Sequence, residues 1–513
     1  MPTTPQSALQ ELNHKTRAIS MLGSCASLLG WDERTYMPPG GLNHRAEQMA
    51  MIAGMTHEKM VEPRIGELLN IVSSSDLMLV PSGAEGNGGS TDAAVIVREV
   101  GRSFERATKM PQALVEEITR TSSLAQNAWE GARAKKDFKI FKPWLAKMID
   151  LKKQEAEAVG YKDDPYDALL DDFEPGATVK DIEKTLTGLR AELVKMLDKI
   201  KGSSRRPKSD IMHRLYPREA QEKFGREAAD RIGFDFKRGR LDVTVHPFCT
   251  GIGPGDTRLT TRYDEHDFNN AFFGTLHESG HGIYDQGLPE DRFGTPLGDA
   301  ISLGIHESQS RMWENQVGRS KSFWAYFFPK AKQSFPEALG DVSLDDFYFA
   351  ANDVKPSFIR TESDEGTYNL HILIRFELER AFFAGQLNVD DVPDAWKKKY
   401  QDYLGITPPD DSIGCMQDVH WSAGLIGYFP TYSLGNLYSA QFFAQAKKDL
   451  GDLDADFAKG EFSRLKKWLN DNIHSHGRRY LATDLVKKVT GKPLSHDALM
   501  AYMNAKFGEL YGF

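Results

Sequence analysis

The chain keeps helical periodicity almost from end to end and breaks it once, near residue 240, which confines it to a mostly helical fold with a small sheet. Val179 to Lys201 shows the prevailing pattern. Ile182, Leu186, Leu189, Leu193 and Leu197 recur every three or four residues, and Gly188 is the only breaker, so this segment is expected to be an amphipathic helix with one face buried. Arg240 to Val245 reads differently: Leu241, Val243 and Val245 alternate with Asp242 and Thr244, the period of a strand, before Pro247 ends it. A second strand is expected over Thr257 to Tyr263, after a turn through Gly251, Gly253, Pro254 and Gly255. Helix resumes beyond it, with joints at Pro289, Pro296, Pro408, Pro409 and Pro430. The break divides the chain into a mainly helical part, 1–235, and a second part, 236–513, as lobes of one unit. Ser73 to Asp92 is rich in Gly and Ser, lacks periodicity and reads as a flexible surface loop with no catalytic role.

Composition narrows the function. The 64 Lys and Arg against 73 Asp and Glu leave a formal charge of −9, without the basic excess of a nucleic-acid binder. No apolar run approaches the ~20 residues that span a bilayer, and Met1 to Lys15 lacks the basic start and apolar block of a secretion signal. Cys25, Cys249 and Cys415 lie far apart with no C-x-x-C, which points to a reducing, cytoplasmic compartment and leaves any metal to His and carboxylate.

Asn269 to Tyr284, NNAFFGTLHESGHGIY, carries the chemistry. On a helix His277 and His281, at i and i+4, share a face and can bind one Zn²⁺, while Glu278 between them can serve a water as general base. Chance gives this pattern in roughly a few per cent of such sequences, and the flanking Phe272, Phe273, Leu276 and Ile283 imply a buried helix, in which two histidines on one face need a partner. Catalytic zinc takes three protein ligands. Glu307 in GIHESQSRMWEN, Gly304 to Asn315, is the preferred third, and His306, turned about 100° away on a helix, is its rival.

Six motifs then align in order: HPF at His246–Phe248, DTRLT at Asp256–Thr260, HESGH at His277–His281, HESQ at His306–Gln309, IRTESDEGTYNLHI at Ile359–Ile372 and GCMQDVHW at Gly414–Trp421. Together with WDERTYMPPGG at Trp31–Gly41 they resemble the thermostable, Taq-type metallocarboxypeptidase family over nearly the whole chain. The resemblance implies a neurolysin-like helical zinc peptidase, two lobes around a deep groove, a small sheet at the active site, and a homodimer. It implies His277, His281 and Glu307 as metal ligands and Glu278 as base. It also places the strand Leu241–Val245 along a peptide substrate, with His246 of HPF on the substrate side. His420 and one of Tyr428 and Tyr432, in GYFPTYSLGN, resemble the residues that bind substrate and stabilise the oxyanion in related peptidases; Tyr428 is the first choice for the oxyanion and Tyr432 for substrate.

An enzyme acting at a peptide's C-terminus needs a carboxylate receptor, which the planar fork of arginine supplies. Arg360 is the leading candidate and Arg258 the second; Arg360 could instead brace Glu362, Asp364 or Glu365. His371 reads as a packed helix residue. The chain is therefore expected to be a zinc-dependent carboxypeptidase, with Co²⁺ a possible substitute, acting on peptides with a free C-terminus. An oligo-endopeptidase of the same fold and a catalytically silent peptide-binding scaffold are the alternatives.

Overall fold

The computed structural model describes residues 3–79 and 90–513. Ten residues of the expected surface loop, 80–89, lie outside that range. Its flanks are ordered turns and helix: a helix ends at Ser73, a short 3₁₀ turn covers Asp76–Met78, and Thr91 caps a helix beginning at Asp92.

Helix α1 (Pro5–Thr35) and helix α2 (Leu42–Met60) form an N-terminal hairpin. α1 buries only Ala8, Leu12 and Trp31, and α2 buries no residue. Ala8 and Leu12 join Ile65, Leu68, Val72, Val95 and Ile96 in a small core separate from the main one. The main core runs from Ala125 to Tyr511 in sequence. Helix α3 (Val179–Gly202) feeds it with Ile182, Leu186, Leu189, Leu193 and Leu197, the face its periodicity predicts, and Thr178 caps its first turn by accepting from the Asp181 N–H. Each such aliphatic side chain contributes about 1.5–3 kcal/mol on burial.

The sheet has three strands: β1 (Gly239–Val243), β2 (Cys249–Gly253) and β3 (Asp256–Thr261), in the order β1-β3-β2. β3 is central, parallel to β1 and antiparallel to β2, and buries Thr257, Leu259, Thr260 and Thr261. β2 corrects the expected turn: Gly251 and Gly253 belong to a strand, and the turn is confined to Pro254 and Gly255. Glycines carry no side chain to show alternation. Pairing of Cys249 with Leu259, Thr250 with Arg258 and Gly251 with Thr257 holds the segment extended, with a register shift between Gly251 and Gly253.

Helix α4 (Phe268–Gly287) packs on β3 and β2 and contains HESGH. Asp267 caps it, and Phe268 and Phe272 anchor its first turns among Phe224, Trp324 and Phe335. Helix α5 (Leu303–Arg311), capped by Ser302, returns beside it and holds Glu307. Helix α6 (Tyr368–Phe383) and helix α7 (Phe429–Leu450) supply the opposite wall, and helix α8 (Asp497–Tyr511) closes the chain against α7. Two glycines let α4, α5 and α7 meet. A Cβ on Gly280 would lie 2.6 Å from the Gln309 oxygen and the Ser310 Cα, and one on Gly435 would lie 2.5 Å from Glu307 Cγ.

Candidate active site

Because α4 advances one turn between residues 277 and 281, both imidazoles emerge on the side facing α5. Their Nε2 atoms stand 3.6 Å (His277) and 3.4 Å (His281) from Glu307 Oε2. Among the described residues His277, His281 and Glu307 are the one group of three or more His, Cys, Asp and Glu side chains whose donor atoms all fall within 4.8 Å. His306 stays out of that cluster.

Each member is held from behind. His277 Nδ1 is 2.9 Å from Glu314 Oε2, on a π-helical turn, Met312–Val317, that follows α5 directly. His281 Nδ1 is 2.6 Å from His306 Nδ1, whose Nε2 is 3.0 Å from Asp285 Oδ1. Glu307 accepts 2.6 Å from Arg311 Nε and 3.1 Å from Ser310 Oγ, and Arg311 Nη1 donates to Glu314 at 3.2 Å. Burial opposes ionisation of Glu307, but Arg311, then His277 and His281, hold its carboxyl well below the ordinary range. Burial pushes His281 down to about 4, with His306 and His277 adding to the effect and Glu307 opposing it. Arg311 and Glu314 escaped the sequence reading, although the acid-base-acid spacing of 307, 311 and 314 fits i,i+4 and i,i+3 pairing on a helix.

Glu278, 7% exposed, has its carboxyl raised to about 7, chiefly by burial, with His277 opposing and Glu307 and Glu314 adding. β3 and β2 both pack against this helix. Cys249 Sγ of β2 lies 3.9 Å from Asp285 Oδ2, and a Cβ on Gly251 would approach the same oxygen to 3.1 Å, whereas β1 lies on the far side of β3.

The opposite wall gathers Arg360, His420, Tyr428 and Tyr432. Arg360 is buried, and its partner is Asp418 of GCMQDVHW rather than Glu362, Asp364 or Glu365: Nε donates to Asp418 Oδ1 at 2.9 Å and Nη1 to the Tyr368 hydroxyl at 3.3 Å. Arg375 pairs with the other oxygen of Asp418 at 2.6 Å. Two guanidiniums thus share one carboxylate and leave a surplus positive charge. The Arg360 guanidinium lies 5.0 Å from the Tyr432 ring centroid. His420 is buried, its Nε2 is 3.4 Å from the Tyr432 hydroxyl, and its Nδ1 has no hydrogen-bond partner among the described residues. Burial pulls His420 down to about 4; Asp418 opposes this, and Arg360 and Arg375 reinforce it. Tyr428 precedes α7, its ring 5.1 Å from Phe173 and 5.3 Å from both Tyr432 and His420.

Arg258 and His246 are placed differently. Arg258 is spent on a two-pronged pair with Asp256, at 2.9 and 2.8 Å, and stacks 4.2 Å over Trp31. His246 is exposed in the connection between β1 and β2. His371 is fully buried with Nδ1 3.0 Å from the Tyr400 hydroxyl, a packed residue as expected.

The chain has counterparts among known proteins. The profile of the carboxypeptidase Taq (M32) metallopeptidases matches residues 11–507. The chain belongs to that family. It is 48% identical over 518 residues to thermostable carboxypeptidase 1 of Thermus thermophilus, covering 99% of this chain and 100% of the relative. It is 41% identical to carboxypeptidase 1 of Bacillus subtilis, over 96% and 97% of the two chains. The crystal structure of the M32 carboxypeptidase from Deinococcus radiodurans superposes with a TM-score of 0.93 at 40% identity, covering 99% of this chain and 100% of that one. As an M32 carboxypeptidase the protein is a metal-dependent peptide hydrolase acting at C-termini, and its substrates are peptides. A mostly helical peptidase with a small sheet at the site is what the sequence led us to expect.

Proposed function

We propose that the metal of this M32 carboxypeptidase is zinc, held by His277, His281 and Glu307, and that Co²⁺ can replace it. The observation that carries this is the convergence of two Nε2 atoms on one carboxylate oxygen at 3.6 and 3.4 Å. Tetrahedral zinc with bonds of ~2.0–2.1 Å spaces its donors ~3.3–3.4 Å apart, and two imidazoles with one carboxylate are a common catalytic set. When bound, the ion supplies Lewis acidity toward a carbonyl and toward water. Glu278 takes the proton that water loses on attack and delivers it to the departing amine, a role its place between the two histidines suits. Tyr428 donates to the oxyanion, and neutral His420 lies beside it with its Nε2 3.4 Å from the Tyr432 hydroxyl.

Arg360 receives the terminal carboxylate, supported by the unneutralised charge of the Arg360–Asp418–Arg375 group, with Tyr432 lining the same pocket. Arg258, already neutralised by Asp256, is the weaker candidate, and His246 has a substrate role only if peptide reaches its exposed connection. The substrate backbone runs along β2 rather than β1. Phe248 accepts from the Thr260 N–H, so in the alternating ladder Thr250 also faces β3 and the main-chain groups of Cys249 and Gly251 point outward, free to pair with a peptide.

The 1–235 and 236–513 parts then stand as portions of one peptidase unit, in contact where Arg240 and Arg258 bracket Trp31 of α1. A homodimer fits the α1–α2 hairpin, which leaves Met21, Leu28, Leu42, Met51 and Met55 exposed. A cytoplasmic location fits three free cysteines. Chelation should abolish peptide cleavage and Zn²⁺ or Co²⁺ restore it; full activity in protein shown by elemental analysis to hold no metal would refute the metal assignment.

A further inference from the structure

We propose that His306, backed by Asp285, is a positioning residue that fixes the tautomer of His281 and so aims its Nε2 lone pair at the metal. The inference rests on the reading that His277, His281 and Glu307 hold the ion.

The two histidines of HESGH are steered differently. His277 has a carboxylate behind it, and a carboxylate can only accept, so Nδ1 of His277 carries the proton and Nε2 is left as a lone pair. His281 has another imidazole behind it at 2.6 Å, Nδ1 to Nδ1, and that contact alone permits either ring to donate. Asp285 removes the ambiguity. Its Oδ1, 3.0 Å from His306 Nε2, accepts, so whenever His306 carries one ring proton that proton sits on Nε2. His306 Nδ1 is then a lone pair facing His281, and His281 must donate from Nδ1. Its Nε2, 3.4 Å from Glu307, becomes the free donor that a metal requires.

The same arrangement explains why His306 is no ligand, since both of its nitrogens are spent. Its position is fixed on three sides. Tyr284 packs against the ring with centroids 5.0 Å apart, Ser302 O anchors its backbone N–H at 3.0 Å, and the second oxygen of Asp285 is 3.9 Å from Cys249 Sγ. Glu307, the adjacent residue, points to the metal site while His306 points to His281, so consecutive residues of HESQ serve the same ion from two directions.

Two variants separate the acceptor from the bulk of the ring. In His306→Asn, Oδ1 falls near the place of Nδ1 and can still accept from His281. His306→Leu fills the space without an acceptor. Zinc affinity is measured on the metal-free full-length protein by competition with a chromophoric chelator, with circular dichroism and melting to verify the fold. His306→Leu should bind Zn²⁺ roughly 10- to 100-fold more weakly, the usual cost of removing such a partner, and His306→Asn should recover most of the loss. In the Co²⁺-loaded protein, proton NMR should show one hyperfine-shifted, exchangeable ring N–H for each ligating histidine, and the wild type should therefore show two. His306→Leu should shift or lose one of them, and His306→Asn should keep both.

Zinc binding by folded His306→Leu within about two-fold of wild type, or an Asn variant no tighter than the Leu variant, would overturn the proposal. Should His306→Leu not fold, the wild-type spectrum decides: two exchangeable shifted ring protons support the assignment, and a single one contradicts it. His281→Ala, measured alongside, distinguishes failure of this inference from failure of the metal site, because retained zinc there would discard the ligand set itself.

Discussion

Among single residues, Arg360 is the one proposed to receive the substrate's terminal carboxylate. Its charge is only half answered, because Asp418 is divided between Arg360 and Arg375, and charge-assisted hydrogen bonds to a substrate carboxylate contribute ~1.5–3 kcal/mol each. Arg360→Ala should therefore lower kcat/KM for free-acid peptides by roughly one to three orders of magnitude. Arg360→Lys should recover only part, since it lacks the fork. The preference for free acid over C-terminal amide should shrink in both; an unchanged ratio in a folded Arg360→Ala protein would move the role elsewhere. Glu278 and Glu307 divide chemistry from binding in a second prediction. Glu278→Gln should retain stoichiometric metal and lose nearly all turnover, whereas Glu307→Ala should lose metal affinity as well, both read by elemental analysis beside peptide hydrolysis. Near-normal kcat in zinc-loaded Glu278→Gln would remove Glu278 as base. His277, Glu278 and His281 were legible in the sequence because a helix turns their spacing into geometry within one segment. Glu307 was reached through the need for a third ligand. The residues that orient them were not, because His306, Arg311, Glu314 and Asp418 acquire their roles only from side chains brought in by folding.

At the level of elements, the site depends on how closely α4, α5 and α7 approach. A methyl group on Gly280 meets backbone atoms of α5 at 2.6 Å, and backbone cannot step aside as a flexible side chain can. Gly280→Ala should cost roughly 1–3 kcal/mol and weaken zinc binding by displacing the helix that holds Glu307. Gly274→Ala on the same helix is the control: nothing lies within 4 Å of its added Cβ, so it should be neutral or stabilise by up to about 1 kcal/mol through helix propensity. Thermal melts of the two variants check this, and equal effects would refute the close-packing argument. Helices α3 and α4 could be read from the sequence because their periodicity is local. Strand β2 could not, since Gly251 and Gly253 offer no side-chain pattern and the segment is extended only because β3 pairs with it.

Over the whole molecule, several carboxyl groups are buried without a full complement of positive charge, and they set the pH dependence of stability. Burial raises Glu174 and Glu379 to about 7 and Asp364 to about 6, despite hydrogen bonds that oppose it. Each has a folded-state value above its unfolded one, so its contribution is fully present below the ordinary carboxylate range, near pH 4–4.5, and is lost as pH rises through 6 to 7. The loss is about 1.4 kcal/mol per pH unit for each group across its window. Glu314, lowered to about 2, works in the opposite sense and matters only in acid. Burial holds His281 and His420 near 4 and His474 near 3, which makes stability rise with pH up to the ordinary histidine value near 6.5 and offsets the carboxyls below it. The melting temperature of the metal-free protein should therefore fall between about pH 6.5 and pH 8; a flat or rising profile there would contradict the assignment. The two separate cores were not foreseen in the sequence, because apolar periodicity shows which face of a helix is buried but not which helices share that burial. The most direct test of the metal centre is anomalous diffraction at the zinc absorption edge from crystals of the intact, zinc-loaded protein. A single strong peak bonded to His277 Nε2, His281 Nε2 and Glu307, with His306 outside bonding distance, is expected; a peak ligated by His306, or none between α4 and α5, would contradict it.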